Sequence, residues 1–336
     1  MNTFGRNFRC TTFGESHGKA LGVVIDGCPA GIPLSADDIQ PLLDRRRPGQ
    51  SDLVSPRKEP DRVEIVSGTF EERTTGAPIA LVIGNSDTRS RDYKDLADVF
   101  RPGHSDYTLQ KKFGIRDHRG GGRSSGRETV ARVAAGAVAM KILGEAGISV
   151  TSRVCEIHGR TTVPEMEEEI RAARDAGNSV GGIVEIVAQG CPAGLGDPVF
   201  GKLDAMIAGA MMGIGAVKGV EIGEGFGSAK LFGHENNDQI TSKGFLSNHA
   251  GGILGGISNG ADIVVRIAVK PTPSISRDQQ TVTTHGEERI ISIHGRHDPC
   301  IVPRIAPVAE SMMALVVIDA LLEQARYEGF SRHCQR

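Results

Sequence analysis

Three loops place titratable side chains beside glycine or proline, in positions that suit acid–base chemistry. His17 lies in "FGESHG" between a serine and a glycine, and His104 follows a Pro-Gly turn in "FRPGHSDYT". Asp106, two residues after His104, could orient it. In "GRHDPC", Asp298 precedes a proline, which favours an extended or turn conformation there. Such groups, far apart in the chain, are typical of acid–base residues that converge on one site.

A fourth loop, in "DHRGGGRSSGRETVARVAAG" (117–136), precedes an alanine-rich run. Ser125 lies three residues before Glu128, which is the spacing of a capping box at a helix N-terminus. The loop is an equally good phosphate site, because the N–H groups of a helix N-terminus attract anions and Arg123 and Arg127 add charge-assisted hydrogen bonds. It matches neither the P-loop pattern nor the dinucleotide fingerprint.

Three further loops are rich in glycine or proline. "GIGAVKG" and "SNHAGGILGGISNG" would let a flat ring approach the backbone, and "KPTPSI" offers Lys270, Thr272 and Ser274 to a phosphate or a ring carbonyl. Each loop alone is as well explained by a tight turn, but together they favour a ligand site. No H-x-x-x-H or H-E-x-x-H spacing occurs, so we expect no metal site.

The composition limits the classes of partner. The chain has 336 residues, a formal charge of −2 and 39% hydrophobic residues, as in a soluble globular protein rather than a general nucleic-acid binder. Local basic clusters such as "RRRPG" therefore suit a small anionic ligand better than a polymer. The six cysteines lie far apart without a C-x-x-C pair, which indicates free thiols in a reducing compartment.

Two observations bear on localisation. The N-terminal stretch lacks the apolar core of a signal peptide. The longest apolar run, near "MMALVVIDALL", is too short to span a bilayer and contains Asp319. We therefore expect a cytoplasmic protein with no membrane partner.

An internal sequence repeat predicts two related halves. "LGVVIDGCPAGIPLSADDIQPLL" (21–43) resembles "GGIVEIVAQGCPAGLGDPVFGKLDAMI" (181–207), since each has a β-branched strand, the turn "GCPAG" and an amphipathic run. We favour a duplication over chance, and interpret the chain as one domain, 1–336, with halves of roughly 1–150 and 151–336 and a site between them.

The remaining patterns predict an α+β fold in which strands cover buried helices. Strands are predicted in "RVEIVSGTF", "PIALVIGN", "KGVEIGEGF", "ADIVVRIAVKP" and "ERIISI". Helices are predicted in "RETVARVAAGAVAMKILGEAG", "VPEMEEEIRAARDAG", "KLDAMIAGAMMGIG" and "VPRIAPVAESMMALVVIDALLEQAR". Several of these helices are rich in Ala, Met and Gly, which favours close packing in the interior.

The loops described above also carry a resemblance to a known family. "GESHG", "DRRRPG", "DVFRPGHSDYT", "RGGGRSSGRET", "AVKGVEIG", "SNHAGGILGGISNG", "KPTPSI" and "GRHDPCIVPR" occur along nearly the whole chain in the order found in chorismate synthases. The sequence therefore resembles the chorismate synthase family.

The resemblance implies a fold, a reaction and partners. The family fold is a β–α–β sandwich with central helices between antiparallel sheets, assembled as a homotetramer. The reaction is a 1,4-anti elimination of phosphate from 5-enolpyruvylshikimate 3-phosphate to give chorismate, in the shikimate pathway. It requires reduced FMN without net redox change. NADPH is a candidate reductant, but the chain has no evident reductase domain, so we expect an external flavin reductase.

The resemblance also implies roles for particular residues. His17 would act as an acid near the leaving phosphate, His104 would protonate or stabilise the reduced flavin, and Asp298 would work with the flavin in accepting the C6 proton. Arg46 would bind the substrate or NADPH. The flavin contacts of the family correspond to Arg123, Ser124, Ser125, Gly215, Ala216, Gly255, Lys270, Pro271, Thr272, Pro273, Ser274 and Arg296.

The sequence departs from the family pattern at two places. Related sequences often carry arginine where Asp52 stands, so Arg57 or Lys58 is a candidate to replace that contact. Gly126 stands where alanine is usual, which is a mild change within a turn.

Two other functions compete with this interpretation. An RNA-binding protein is suggested by "RGGGR", but interleaved aromatic residues and a net positive charge are lacking. An FMN-dependent oxidoreductase would bind the same cofactor but consume NADPH stoichiometrically.

Overall fold

The computed structural model describes residues 1–49, 59–86, 96–293, 295 and 297–334. The helices are α1 (Ala36–Arg46), α2 (Asp106–Phe113), α3 (Thr129–Glu145), α4 (Val163–Asp175), α5 (Leu203–Met212), α6 (Gly233–Asn236) and α7 (Val302–Cys334). The strands are β1 (Thr3–Phe4), β2 (Arg9–Gly14), β3 (Ala20–Asp26), β4 (Val63–Ser67), β5 (Thr69–Phe70), β6 (Arg73–Thr74), β7 (Ile79–Gly84), β8 (Ser149–Ile157), β9 (Gly182–Gln189), β10 (Val217–Ile222), β11 (Ile240–Thr241), β12 (Gly244–Phe245), β13 (Ile253–Leu254), β14 (Ile257–Ser258), β15 (Ile263–Val269), β16 (Gln279–Val282) and β17 (Glu288–Ile291).

Two antiparallel sheets share one topology. The first has the order β1-β2-β3-β7-β4, and the second has the order β10-β15-β9-β8. If β1 is left aside, the two sheets have the same topology. When the four strands of each sheet are counted in chain order, the second strand pairs with the first and the fourth. The third strand lies at the edge, beside the fourth. A helix follows the second strand of each sheet (α1, α5), and another follows the fourth (α3, α7). The predicted α+β fold with an internal pseudo-duplication is confirmed.

The two central helices lie between the sheets. α3 packs on β2, β3 and β7 of the first sheet, α7 packs on β8 and β9 of the second, and the two helices pack on each other. α3 is apolar on all sides, which is typical of a helix buried in a core. The two helices approach so closely that a Cβ built on Gly136 would lie 2.2 Å from the Cβ of Ser311.

The C-terminal helix is also a core element. The expectation that the apolar run near "MMALVVIDALL" is too short to span a bilayer is wrong, because Val302–Gly329 are long and apolar enough to cross a membrane. However, 89% of the most apolar window of this helix is buried in the protein. Asp319, within this run, accepts hydrogen bonds from the backbone N–H groups of Arg6, Asn7 and Phe8. The polar residue in the apolar sequence therefore holds the N-terminal segment on α7.

The two "GCPAG" turns occupy equivalent positions, directly after β3 and β9. Each opens with a glycine in the left-handed region, Gly27 at φ +83° and Gly190 at φ +78°, where an L side chain is strained. The following Cys28 and Cys191 are buried. Both are free thiols, as are Cys10, Cys155 and Cys300.

The predicted strands and helices named above are all present. Among the longer elements of the described residues, β2, β8 and α2 were not predicted, because polar residues interrupt their alternation or helical period. The short elements that were not predicted either are β1, β6, β11, β12, β13, β14, β16 and α6. The capping box predicted for Ser125 and Glu128 is wrong in its second half. Ser125 Oγ accepts a hydrogen bond from the backbone N–H of Arg127 at 3.3 Å. The carboxylate of Glu128 accepts hydrogen bonds from Thr12 Oγ1 and Arg132 Nε instead of from the helix N-terminus.

Candidate active site

A cleft of about 500 Å³ lies between residues of both halves. Its walls come from equivalent places in the two topologies: the C-terminal ends of α1 and α5, and the segments that lead into α3 and α7. We call the lining residues between 101 and 128, before α3, the N-terminal wall, and the described lining residues between 270 and 301, before α7, the C-terminal wall. The volume is in the range of small-molecule sites, about 300–1,000 Å³.

Most of the predicted site residues line this cleft. They are Arg46, His104, Arg123, Ser124, Ser125, Gly215, Ala216, Lys270, Thr272, Pro273, Ser274 and Asp298. Three others are outside the lining: His17, Gly255, which is exposed in the β13–β14 turn, and Pro271, which is exposed beside the C-terminal wall. Arg296, like Asp52, Arg57 and Lys58, lies outside the described residues.

The glycine-rich loop reaches α3 through two short 3-10 turns, Gly122–Ser124 and Gly126–Glu128. Gly121 adopts φ +86°, and a Cβ built on it would lie 2.9 Å from Cε1 of His104. Only glycine therefore allows the loop to pass this close to the imidazole. Arg123 donates from its guanidinium to Thr12 Oγ1 at 2.6 Å, which fastens the loop to β2.

His104 is held by a buried carboxylate. Its Nδ1 lies 2.9 Å from Oδ1 of Asp106, and Nε of Arg101 lies 2.7 Å from the other carboxylate oxygen. Burial opposes ionisation of Asp106, but hydrogen bonds from Arg101 and His104 outweigh it and hold the pKa of Asp106 well below its usual range. Nη2 of Arg101 also lies 3.1 Å from Nδ1, but the shorter contact with the ionised carboxylate, which only accepts hydrogen bonds, favours the proton on Nδ1. Nε2, beside Gly121, is then the basic atom.

Burial also acts on the charge of His104 itself. Desolvation lowers the pKa of His104 below 6.5, although its hydrogen bond to Asp106 acts in the opposite direction. The imidazole of the free protein is therefore neutral at pH 7. A group in this state can accept a proton or a hydrogen bond at Nε2 without first losing one.

His17 lies directly behind the cleft wall. Its half-buried ring packs on Gly120, a lining residue, where a built Cβ would lie 2.3 Å from Cε1 and 2.4 Å from Nδ1 of His17. Gly120 has φ +66°, so both space and backbone conformation require glycine. The structure thus brings His17 to the edge of the cleft but separates it from the interior by one glycine.

A buried ionic cluster supports the base of the N-terminal wall. Nη2 of Arg46 lies 2.7 Å from Oδ2 of Asp61, and Arg127 Nη1 binds the other carboxylate oxygen. Arg46 also donates to the carbonyl of Gly126 and to Thr129 Oγ1, both at 3.2 Å. The side chains of Arg46 and Asp61 are 1% and 0% exposed. Arg46, predicted to bind the substrate or NADPH, is therefore also an anchor for the turn into α3.

The charge states within this cluster follow from burial and proximity. Burial lowers the pKa of Arg46 to about 10, which leaves the guanidinium charged at pH 7. Burial would raise the pKa of Asp61, but Arg46 and Arg127 together bring it below its usual value. Arg46, Arg127 and Asp61 are therefore ionised, and the two cations share the Asp61 carboxylate, while Nη2 of Arg127 also lies 3.7 Å from Oε2 of the buried Glu59.

Several lining arginines were not selected from the sequence. Arg132 lies one helical turn after Glu128, binds its carboxylate at 2.9 Å, and donates to the carbonyl of Gly213 at 2.9 Å. It therefore joins α3 to the end of α5. The i,i+4 spacing of Glu128 and Arg132 is the signal that could have found it.

Two further arginines stand beside predicted catalytic residues. Arg101 precedes His104 by three residues in the same motif, and Arg304 donates from Nη1 to Oδ2 of Asp298 at 2.6 Å. Both line the cleft. Their position within the quoted motifs was the available signal, and arginine in such a place is suited to bidentate recognition of carboxylate or phosphate.

The C-terminal wall offers hydroxyl groups and an amine. Nζ of Lys270 donates to the carbonyl of Gly103 at 3.0 Å, which joins the two walls, and desolvation lowers the pKa of Lys270. Oγ1 of Thr272, Oγ of Ser105 and Nε of Arg46 are buried without a hydrogen-bond partner among the described residues. Unsatisfied groups of this kind cost free energy unless a ligand or water binds them, so the cleft fits a ligand rich in acceptors.

The arrangement as a whole combines cationic, hydroxyl and acid–base groups in one enclosed space. The arginines and Lys270 can bind several anionic groups at once, and His104 and Asp298 can exchange protons. No group of His, Cys, Asp and Glu in the described ranges could hold a metal ion.

The comparisons with known proteins agree with this geometry. The sequence profile of a family described as chorismate synthase matches residues 8–322. The chain belongs to the chorismate synthase family. The chorismate synthase of Syntrophobacter fumaroxidans is 57% identical, over 97% of this chain and 99% of that protein. The chorismate synthase of Methanocella arvoryzae is 54% identical, over 96% and 94%.

A solved structure supports the same assignment. A crystal structure of a chorismate synthase aligns with 98% of this chain and 99% of its own, with a TM-score of 0.74 and 33% identity. The family resemblance and the fold expected from the sequence are thereby confirmed.

Proposed function

We propose that this chain is a chorismate synthase, a carbon–oxygen lyase that converts 5-enolpyruvylshikimate 3-phosphate to chorismate by 1,4-anti elimination of phosphate. The observation that carries the proposal is the cleft in which most of the family motifs meet, lined by His104, Asp298 and six arginines. The substrate has two carboxylates and a phosphate. A near-neutral protein with a cation-lined cleft suits such a ligand better than a polyanion.

Reduced FMN fits the same cleft. The glycine-rich loop before α3 offers backbone N–H groups and Ser124 and Ser125, while the C-terminal wall offers Lys270 and the unpartnered hydroxyl of Thr272. Gly215 and Ala216 present backbone rather than side-chain bulk to the cleft. When bound, the reduced flavin supplies electron density to the allylic system of the substrate and recovers it.

The chain itself binds charge and moves protons. The arginines of the cleft hold the carboxylates and stabilise the negative charge that develops on the departing phosphate. His17 donates a proton toward that phosphate from behind Gly120. Asp298, fixed by Arg304 at 2.6 Å, takes part in removing the C6 proton. His104, with its proton on Nδ1 held by Asp106, presents Nε2 to the flavin side of the cleft.

A homotetramer in the cytoplasm is proposed for the assembly. Large apolar side chains are exposed between residues 199 and 254 and would be covered by partner copies. They are Val199, Phe200, Met212, Phe226, Phe232, Ile240, Leu246 and Leu254. NADPH is proposed as an indirect reductant, acting through an external flavin reductase.

An anaerobic turnover experiment tests the reaction. The protein is mixed with 5-enolpyruvylshikimate 3-phosphate and dithionite-reduced FMN, and phosphate, chorismate and flavin oxidation state are measured. We expect phosphate and chorismate in equal amounts with no flavin consumed. Stoichiometric consumption of NADPH would instead indicate an oxidoreductase, and the absence of chorismate under strict anaerobiosis would exclude the elimination.

His17→Ala tests the acid role within that reaction. We expect FMN binding to be retained and turnover to fall by roughly 10²-fold or more, the usual scale for loss of an acid–base group. His158→Ala, which removes an exposed histidine paired with Glu169, is the matched control and keeps full turnover. Near-normal turnover of His17→Ala would remove His17 from the mechanism.

A further inference from the structure

Asn85 ties the turn that carries His17 to the buried ionic cluster. It follows β7 directly, and its backbone N–H donates to the carbonyl of Lys19 at 3.2 Å. Its side-chain Nδ2 donates to the carbonyls of Glu15 at 3.1 Å and Gly18 at 2.9 Å. These two residues are the ends of the turn in which His17 lies, so one amide group spans the whole turn.

The other end of the same amide is fixed. Oδ1 of Asn85 accepts a hydrogen bond from Nε of Arg127 at 2.7 Å. Because a guanidinium only donates and a carbonyl only accepts, this set of partners permits one orientation of the amide and no flipped form. Asn85 is therefore a directional link between a cation and a turn.

Arg127 is a rigid attachment point. Its side chain is 3% exposed, and it binds Asp61 through Nη1 and the carbonyl of Gly84 through Nη2 at 3.3 Å. Asp61 in turn binds Arg46. The position of the His17 turn is thus set by groups that are themselves buried and ionised.

The turn has little freedom to shift without moving the imidazole. The ring of His17 packs on Gly120 of the cleft lining, and Ser16 N–H lies 3.4 Å from the carbonyl of Gly122. A displacement of about 1 Å of a reacting group can reduce a rate by about 10²-fold. We propose that Asn85 is a positioning residue for His17, which it holds against the cleft wall through Arg127. This inference rests on the acid role proposed above for His17.

Asn85→Asp separates the two functions of the amide. The carboxylate keeps the contact with Arg127 but replaces the two N–H donors by acceptors that face the carbonyls of Glu15 and Gly18. We expect kcat to fall by about 10-fold to 10²-fold, while KM for the substrate and affinity for reduced FMN change less than about 3-fold. Loss of affinity without loss of kcat would contradict the proposal.

A double-mutant cycle and a spectroscopic readout complete the test. If Asn85 acts through His17, Asn85→Asp adds no further loss of kcat to His17→Ala. Additive losses would overturn the proposal, because Asn85 would then act through another group. The imidazole resonances of His17, assigned with His17→Ala, should shift in long-range 1H–15N spectra of Asn85→Asp, and unchanged resonances would overturn it as well.

A control variant and the spectra separate this inference from the acid role. Asn7→Asp also converts a hydrogen-bonded amide, which here binds Glu323 and the carbonyl of Asp319, and should leave kcat and the His17 resonances unchanged. If His17→Ala keeps full turnover while Asn85→Asp still moves the resonances, the acid role fails and the positioning role stands.

Discussion

The segments that lead into α3 and α7 occupy equivalent places in two halves of the same topology, yet they hold their side chains by different means. On the N-terminal wall and at its base, charged groups are buried against one another, as in Arg46–Asp61–Arg127 and Arg101–Asp106. The C-terminal wall has prolines, hydroxyl groups and a partly exposed lysine. The symmetry of the backbone therefore does not extend to the chemistry of the cleft.

The distribution of buried charge makes the difference quantitative. Within the described residues, seven of the nine buried charged side chains belong to residues 1–150 and two to the rest of the chain. Burying a charge is costly unless it is paired and hydrogen-bonded, so the first half depends on complete partners. We infer that one wall is fixed by electrostatics and that the other remains freer to bind with hydroxyl and amine groups.

The largest expected effect comes from removing the shared carboxylate. Asp61→Ala leaves the buried guanidinium of Arg46 without its counter-ion, and Arg127 with only Glu59 at 3.7 Å, and should lower the free energy of unfolding by about 3–5 kcal/mol. Arg304→Ala, which breaks the less buried Asp298–Arg304 pair of the other wall, should cost about 1–3 kcal/mol. Urea unfolding measures both, and equal losses would remove the distinction between the walls.

The pH dependence of the same variant sharpens this comparison. The pKa of Asp61 is lower in the folded protein than its unfolded value of about 3.9. Its stabilisation is therefore complete above about pH 4 and is lost as the pH falls through the folded pKa, because the unfolded chain takes up the proton first. The difference in unfolding free energy between wild type and Asp61→Ala should narrow below about pH 4, and a difference that widens there would contradict the assignment.

A smaller effect is expected where the halves meet at the central helices. Gly136→Ala places a methyl group 2.2 Å from the Cβ of Ser311, which forces α3 and α7 apart and should cost about 1–3 kcal/mol. Gly144→Ala, in the same helix with nothing within 4 Å, should be stabilising by up to about 1 kcal/mol. Thermal unfolding of the pair shows whether the spacing of the walls is set at this crossing.

The smallest effects compare one hydroxyl from each wall. Ser125→Ala removes a hydrogen bond to the N–H of Arg127 and should lower stability by about 1 kcal/mol. Thr272→Val removes a hydroxyl that has no partner in the described part of the chain, so stability should be unchanged or slightly higher. If Thr272 binds reduced FMN, the dissociation constant should rise up to about 10-fold, and calorimetry measures it.

The sequence predicted the scaffold well because its signals are local. The strand before "GCPAG" and the apolar, alanine-rich helices are readable from short stretches, and the echo between 21–43 and 181–207 indicates the shared topology. Most of the motif loops have residues in the lining of one cleft, but "GESHG" and "SNHAGGILGGISNG" contribute none. β2 and β8 were missed because polar residues such as Thr12 and Ser152 also stand at their less exposed positions, which interrupts the apolar alternation.

What the sequence left open depends on contacts between distant residues. His17 lies behind Gly120 rather than in the lining because the two loops pack on each other across more than a hundred residues. Arg46 is buried because it pairs with Asp61, and no local sequence pattern predicts this ion pair. How deeply a residue lies in a site, and which residue it pairs with in the interior, depend on the assembled fold. Sequence motifs alone do not predict either property.

The hydrogen bonds between Asp319 and the N-terminal segment affect the order in which the chain can fold. The backbone N–H groups of Arg6, Asn7 and Phe8 find their acceptor more than three hundred residues later, on the last helix of the chain. During synthesis on the ribosome, the N-terminal segment must therefore wait for α7 before these three N–H groups find their acceptor. Folding with such distant contacts is intrinsically slow. Until α7 has been synthesised, the nascent first half exposes the apolar face that α7 will cover. The chain is most prone to aggregation at this stage.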